Sequence, residues 1–232
     1  MNKKEFLLRE KLKKDFPKLG DNFGAKPKLA AFSGKLFGVI KFILGICLLP
    51  FMYSVTTSFL AEFSKVEFPL QNYFWYGISS FLVIYLFIWE PVIIYAKGQR
   101  ILEVIFTFFR PLVRVAPFLL PIYFIILMIA YGLVSFFSKS QEMTNLFVFL
   151  FGFSMAFHLV FSAKTLRTKQ DDFLRANYIF GFSFLYLINL MLLAFLFSFI
   201  FDKFSFVHFC NASYQSAGGI FSAIFSQLFV NK

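Results

Sequence analysis

Five long apolar runs, separated by short polar segments, account for most of the chain. They lie near residues 36–61, 73–96, 116–137, 144–163 and 177–201. Each is close to the roughly 20 residues that an α-helix needs to cross the hydrocarbon core of a bilayer. A helix also satisfies its own backbone hydrogen bonds, as a segment surrounded by lipid must. The pattern therefore predicts an all-α membrane protein with five transmembrane helices.

Charged residues and prolines interrupt the five runs to different degrees. No charged residue occurs within 116–137 or within 177–201. Pro121 falls in the first turns of the third run, where a lost N–H donor matters least. The first run contains Lys41 and the second contains Glu90, but polar segments bound both runs at the distance that a span requires. All five runs are therefore predicted to cross the membrane.

The segments that flank the predicted bundle have amphipathic patterns of their own. Residues 1–35 are predicted to form a basic amphipathic arm on the cytoplasmic side, suited to an anionic leaflet. After Gly218 and Gly219, apolar residues recur at helical spacing, so 202–232 is predicted to be an amphipathic segment on the outer face. Helices of this kind lie in the membrane interface or pack against the bundle.

The segment 98–115, between the second and third runs, carries a narrow polar stripe. Its members recur at spacings of 3, 4, 3 and 4, which places them on one face of a helix: Arg100, Glu103, Thr107, Arg110 and Arg114. We predict that the four charged members dock the helix to lipid head groups or to a protein partner. Pro111 requires a kink in a single helix here, so two short helices are the alternative.

The distribution of Lys and Arg predicts the orientation, because positively charged loops resist translocation. Eighteen of these residues lie in 1–35, 97–115 and 164–175, and four lie on the opposite side, with Lys41 inside a span. The N-terminus is therefore predicted to be cytoplasmic and the C-terminus periplasmic or extracellular. The N-terminal arm has neither an apolar signal-peptide segment nor the composition of a transit peptide. A bacterial inner membrane is the expected location, and the mitochondrial inner membrane is the alternative.

Composition changes this picture mainly by excluding other classes. The chain is 59% hydrophobic and 22% aromatic, with more apolar surface than one soluble core of 232 residues can hide. A net charge of +11 would suggest nucleic acid in a soluble protein, but here the charges follow the loops, so no nucleic-acid partner is expected. The chain has two Cys, two His and no familiar catalytic motif, so we expect no metal, no cofactor and no enzyme activity.

Three ionisable residues share one predicted depth inside the bundle. Lys41, Glu90 and His158 each lie six or seven residues inside the end of a span, about 9–10 Å below the cytoplasmic surface. Groups at such depth normally face the bundle interior and pair with one another, which suggests a proton- or cation-linked site centred on Glu90. The structural alternative is that Lys41 reaches the interface, Glu90 pairs with a loop cation and His158 is a hydrogen-bonded packing residue.

Three functions remain open from the sequence. The preferred one is a non-catalytic membrane subunit or scaffold that packs with other integral membrane proteins, while its basic arm contacts anionic lipid head groups or an acidic partner. The alternative is a transport or permease component with Glu90 on its pathway, driven by a separate cytoplasmic ATPase. A lipid-modifying membrane enzyme that uses Glu90, His158 or Asp171-Asp172 is the third hypothesis.

Overall fold

The computed structural model describes residues 26–137, 140–168 and 178–229, and within them all regular structure is α-helical. Within these ranges, eight helices follow one another: α1 Lys26–Phe63, α2 Phe68–Phe87, α3 Val92–Ile105, α4 Arg110–Leu119, α5 Ile122–Phe137, α6 Gln141–Thr168, α7 Tyr178–Ile200 and α8 Phe206–Phe229. The chain divides into two units, Met1–Lys41 and Phe42–Lys232. The packing described below belongs to the second unit. The all-α class is confirmed for the described residues, and residues 1–25 of the predicted N-terminal arm lie outside them.

Among the described residues, three helices are long and apolar enough to cross a membrane, judged by length and composition. They are the Phe37–Phe63 part of α1, the Gln141–Arg167 part of α6, and α7. They overlap the first, fourth and fifth apolar runs and support the membrane class. Helix α5 is apolar over its 16 residues but shorter than the roughly 20 residues of a typical span. Five spans are therefore not confirmed by the helices alone.

The second apolar run, 73–96, is divided between two helices, so the prediction of one continuous span there is wrong. Helix α2 ends at Phe87, and α3 begins at Val92. Pro91 has no N–H with which to continue the helical ladder. It also disfavours a helical conformation at the preceding residue, Glu90, and these two effects account for the break.

The chain turns at this break instead of running straight on. The ring centroids of Tyr85 in α2 and Tyr95 in α3 lie 5.7 and 5.2 Å from that of Phe161. Ten residues of unbroken helix would separate the two tyrosines by about 15 Å along the axis. Because both tyrosines contact one phenylalanine, α3 folds back beside the C-terminal half of α6.

The third apolar run, 116–137, is divided in the same way, and the prediction of a single helix is wrong there too. Helix α4 ends at Leu119 and α5 begins at Ile122, with Pro121 between them. The helix that reaches Pro121 starts at Arg110, so this proline lies beyond its first turns, where its missing N–H ends the ladder.

The polar segment 98–115 forms parts of two helices, as the alternative prediction for this segment stated. Helix α3 ends at Ile105, and α4 begins at Arg110 after a turn. Pro111 lies in the first turn of α4, where its missing N–H would have had no helical partner. Arg100 and Glu103 are exposed on α3. The side chains of Arg110 and Arg114 lie outside the described residues.

Helices α2 and α6 run in the same direction and pack with their backbones in contact. A Cβ atom built on Gly77 would lie 1.9 Å from the carbonyl oxygen of Phe149. A Cβ atom on Gly152 would lie 2.1 Å from the carbonyl oxygen of Phe74. Small residues at helix interfaces permit such close approach within a membrane. The two glycines therefore fix the separation of the helix pair on which the bundle is built.

Phenylalanine side chains fill the core where α1, α2 and α7 meet, at the end of the bundle that contains Phe63. The centroid of the Phe63 ring lies 5.2 Å from that of Phe74 and 5.6 Å from that of Phe197. The Phe74 and Phe197 rings lie 5.4 Å apart in an edge arrangement. Aromatic pairs in such geometries contribute about 0.5–1.5 kcal/mol beyond the area that they bury. We call this side of the molecule the Phe63 end.

Helix α8 packs along α1 in the opposite direction. It begins at Phe206, fourteen residues before the apolar stripe that the sequence suggested, and continues through Gly218 and Gly219. The Phe59 and Phe209 ring centroids lie 6.4 Å apart, and those of Phe51 and Phe221 lie 5.2 Å apart. Of the two predicted arrangements, interface or bundle, the structure has α8 against the bundle.

Candidate functional site at the two helix breaks

The break between α4 and α5 leaves backbone carbonyl groups without helical donors. Pro121 has no N–H to donate to the Pro117 carbonyl. The helix also ends before the N–H groups of Ile122 and Tyr123 could donate to the carbonyls of Phe118 and Leu119. An unsatisfied carbonyl surrounded by apolar atoms costs several kcal/mol. Other parts of the chain must therefore supply donors here.

Two buried side chains supply them from neighbouring helices. The Nε2–H of His158 in α6 donates to the Phe118 carbonyl oxygen over 3.1 Å. The amide of Asn189 in α7 donates to the Leu119 carbonyl oxygen over 3.2 Å, and to the Leu185 carbonyl oxygen over 2.9 Å. Both side chains are buried. Together they cap the C-terminal end of α4 and bind it to α6 and α7.

The His158 contact belongs to a small buried polar network. The hydroxyl groups of Tyr95 in α3 and Ser162 in α6 lie 2.8 Å apart, and the Ser162 oxygen lies 3.4 Å from His158 Nε2. The adjoining cavity, which Gln99 also lines, has a volume of only about 10 Å³. A space of that size admits nothing larger than a single water molecule. The network therefore connects α3, α4 and α6 but offers no room for an organic substrate.

The other break carries an ion pair on the surface. Lys164 in α6 donates to the carboxylate of Glu90, and the two side chains are 44% and 40% exposed. This hydrogen bond holds the pKa of the Glu90 carboxyl below its ordinary value, with a further contribution from a hydrogen bond of Tyr85. The pair therefore fastens the turn between α2 and α3 to the C-terminal part of α6.

Two residues of the predicted layer, Glu90 and His158, have separate partners. Glu90 pairs with Lys164, and His158 is bonded to a backbone carbonyl group. Lys41 belongs to the N-terminal unit, where its Nζ lies 4.3 Å from the centroid of the Phe37 ring. The structure thus gives Glu90 and His158 different partners instead of pairing them with each other. Asp171 and Asp172 lie outside the described residues.

A buried carboxylate at the Phe63 end was not among the predicted site residues. Glu62, near the end of α1, is 1% exposed and accepts hydrogen bonds from Lys65 Nζ at 2.5 Å and from the Ser205 N–H at 3.3 Å. It also bonds to Nδ1 of His208 in α8. Glu62 and His208 are 146 residues apart, so no local sequence pattern could have paired them. The contact holds the start of α8 to the end of α1.

These groups define the chemistry that the described residues can offer. Within those ranges, no group of three or more His, Cys, Asp or Glu side chains could hold a metal ion. The polar contacts above join one helix to another or cap a helix end. No protein-family model, curated protein or solved structure matches the chain. Its function must therefore be inferred from its own geometry.

Proposed function

We propose that this chain is a non-catalytic, multi-pass membrane subunit that packs against other integral membrane proteins. The observation that carries the proposal is the exposure of α1. Only 22% of the most apolar 18-residue stretch of α1 is buried within the chain, whereas 61% of the corresponding stretch of α6 is buried. A spanning helix that its own chain covers so sparsely offers a surface on which the helices of a second membrane protein can pack.

The least covered part is the half of α1 between Phe42 and Tyr53. Over this stretch of described chain Gly45 is the single buried residue, and exposed side chains include Ile43, Leu44 and Cys47. The other half of the helix contacts α2, α7 and α8 through its phenylalanines. Within this half, Phe51 packs against Phe221 of α8, and a Cβ built on Gly45 would lie 3.0 Å from the Phe180 backbone nitrogen of α7. The surface open to a partner is therefore formed by the exposed side chains of the half between Phe42 and Tyr53.

The polar groups of the bundle support a structural role. His158 and Asn189 cap α4, and Glu62 fastens α8. Burying an unpaired polar group at membrane depth costs free energy. Here the polar groups are paired in contacts that hold the broken helices in place. This use of the polar residues favours a scaffold over an enzyme that acts on lipid.

We infer that six helices cross the membrane: α1, α2, α5, α6, α7 and α8. Helix α8 follows α1 from Phe59 to Phe51, and its continuation to Phe229 adds about 12 Å. Its 24 residues extend about 36 Å, enough to cross roughly 30 Å of hydrocarbon. The chain from Phe204 to Asn231 also contains no Asp, Glu, Lys or Arg.

This arrangement puts both termini on the cytoplasmic side of the membrane, in contrast to the orientation expected from five spans. Lys232 then joins the positively charged side, so the count of Lys and Arg becomes nineteen against three instead of eighteen against four. The positive-inside rule is obeyed better by six crossings than by five. A bacterial inner membrane remains the membrane that we propose.

Co-purification with partner proteins tests the proposed function. In the variants Ile43→Trp and Leu44→Trp, a bulky ring is added to the open half of α1 without touching the core of the chain. We expect both variants to fold but to lose most of the partner that wild type retains in mild detergent. The matched control is Phe199→Trp, at a position that is 70% exposed on α7. Equal recovery of the partner in all three variants would refute docking on α1.

A transport role is the second candidate, and the two broken helices favour it. Pro-interrupted apolar segments often mark the binding site of a transporter, because unwound backbone can hold an ion there. Both breaks lie beside the 157–164 part of α6. Uptake that is abolished in Glu90→Gln, with partner binding intact, would support transport. Unchanged activity of the host complex in Glu90→Gln would favour the scaffold.

A further inference from the structure

A cavity of about 280 Å³ lies between α1, α2, α6 and α7. Its floor consists of the apolar side chains of Phe59, Phe74, Met155 and Leu193, which are only 2–4% exposed. Three of the four helices contain the candidate membrane spans, so the floor lies at membrane depth. An apolar cavity of about 150 Å³ stays dry and binds benzene. The cavity in this chain therefore has room for a longer hydrocarbon.

The hydroxyl groups of Thr56 and Tyr186, in the cavity wall, are hydrogen-bonded to each other and to the backbone. Thr56 Oγ1 donates to the Met52 carbonyl oxygen at 2.6 Å, so the Tyr186 hydroxyl must donate to Thr56 Oγ1 at 2.8 Å. Neither hydroxyl keeps a proton for a ligand. Because the rest of the lining is almost wholly apolar, the cavity suits an aliphatic occupant better than a polar one.

The cavity opens sideways between α1 and α2. Leu60 and Trp75 line it and are 42% and 41% exposed, in contrast to the floor residues. These two residues lie three and seven positions from the ends of their helices, about 5 and 10 Å below the Phe63 end. The opening therefore faces the hydrocarbon of the adjacent leaflet, just below the level of its head groups.

We propose that this cavity binds one acyl chain of a bilayer phospholipid, taken from the leaflet at the Phe63 end. The occupant is the apolar molecule that surrounds the opening, and it needs no hydrogen-bond donor from the wall. Once seated, the chain fills the space between α1 and the α2–α6 pair and acts as part of the packing of α1. The proposal is independent of any protein partner on the open half of α1.

Fluorescence quenching by brominated acyl chains tests this site, because the chain has only two tryptophans. In Trp89→Phe, the remaining fluorophore is Trp75 at the mouth of the cavity. The full-length variant is reconstituted into vesicles of phosphatidylcholine with brominated chains and then extracted into detergent. We expect quenching of Trp75 to survive extraction, and native mass spectrometry to find one brominated phospholipid per chain.

The reciprocal variant Trp75→Phe provides the control. Trp89 is 53% exposed and does not line the cavity, so its quenching in vesicles should disappear completely on extraction. Ala156→Phe, made in the Trp89→Phe background, puts a ring into the cavity and should abolish the retained quenching and the retained lipid. If that variant does not elute as a folded chain, Leu190→Phe on another wall replaces it.

Two outcomes would overturn the proposal. Trp75 fluorescence that recovers fully in detergent, as Trp89 fluorescence should, would mean that lipid contacts the opening but does not enter. Retained quenching that persists in a folded cavity-filling variant would place the lipid elsewhere on the surface. Loss of the retained lipid in the filled variant, with folding preserved, supports the site in the cavity.

Discussion

Replacing Gly77 by Ala perturbs the close contact between α2 and α6. The added Cβ would lie 1.9 Å from the carbonyl oxygen of Phe149 and 2.9 Å from the backbone nitrogen of Phe153. Cβ contacts below 3.0 Å essentially never occur, so the two helices must move apart locally by about 1 Å. The obstacle is backbone, which cannot rotate away as a side chain can. Overpacking of this kind costs about 1–3 kcal/mol.

Gly132→Ala is the matched control for this prediction. Nothing lies within 4 Å of a Cβ built on Gly132 in α5. Alanine favours a helix over glycine by about 1 kcal/mol, and this gain applies to both variants. The difference in free energy of unfolding between Gly77→Ala and Gly132→Ala therefore isolates the steric effect of about 1–3 kcal/mol.

Unfolding in mild detergent, followed by temperature, measures this difference. Each kcal/mol corresponds to about 2–4 °C in Tm for a chain of this size, so the two variants should differ by several degrees. The double variant Gly77→Ala/Gly152→Ala should lose less than the sum of the single losses, because one separation of the helices relieves both contacts. Equal Tm values for Gly77→Ala and Gly132→Ala would refute the close approach.

Three further predictions concern charge, capping and topology. Lys164 holds the pKa of Glu90 below its ordinary 4.5. The ion pair therefore stabilises the folded chain fully above pH 4.5, and this stabilisation is lost as the pH falls through the lowered pKa. The Tm gap between wild type and Glu90→Gln should therefore close in acid, and a gap that widens there would contradict the pairing. His158→Gln keeps an N–H donor for the Phe118 carbonyl, whereas His158→Leu does not, and the second variant should be less stable by about 1–3 kcal/mol in the same unfolding assay. Equal stability of the two would argue against capping. A fluorescent protein fused after Lys232 should fluoresce, and alkaline phosphatase at that position should be inactive, because α8 returns the C-terminus to the cytoplasm in the proposed six-span arrangement. The reverse pair of results would restore the external C-terminus.

Much of the helical architecture could be predicted from the apolar runs, but the breaks could not be placed from hydropathy alone. The 116–137 run has no charge to mark an interruption. An apolar run that begins at Ala116 places Pro121 near its start, whereas the helix begins at Arg110. A proline is tolerated in the first turn of a helix but ends the helix at later positions. An error of six residues in the predicted start of the helix therefore changes the predicted effect of Pro121 from tolerated to helix-ending.

The candidate site was predicted in part. His158 was identified as a buried ionisable residue, and its partner is a carbonyl group that exists as an acceptor only because the helix ends at Leu119. Asn189 was missed for the same reason, since its role depends on the break. Glu62 and His208 meet only because α8 folds back on α1, which no spacing in the sequence encodes.

The function proposed for the chain rests on the sparsely covered half of α1, and the mass of the native assembly tests it most directly. The chain should be extracted from its own membrane in mild detergent and weighed by native mass spectrometry. We predict a complex heavier than the 27.0 kDa chain by at least one other integral membrane protein in fixed ratio, a mass that Leu44→Trp reduces to that of the chain. A species that contains only this chain, with lipid and detergent but no second membrane protein, would contradict the account.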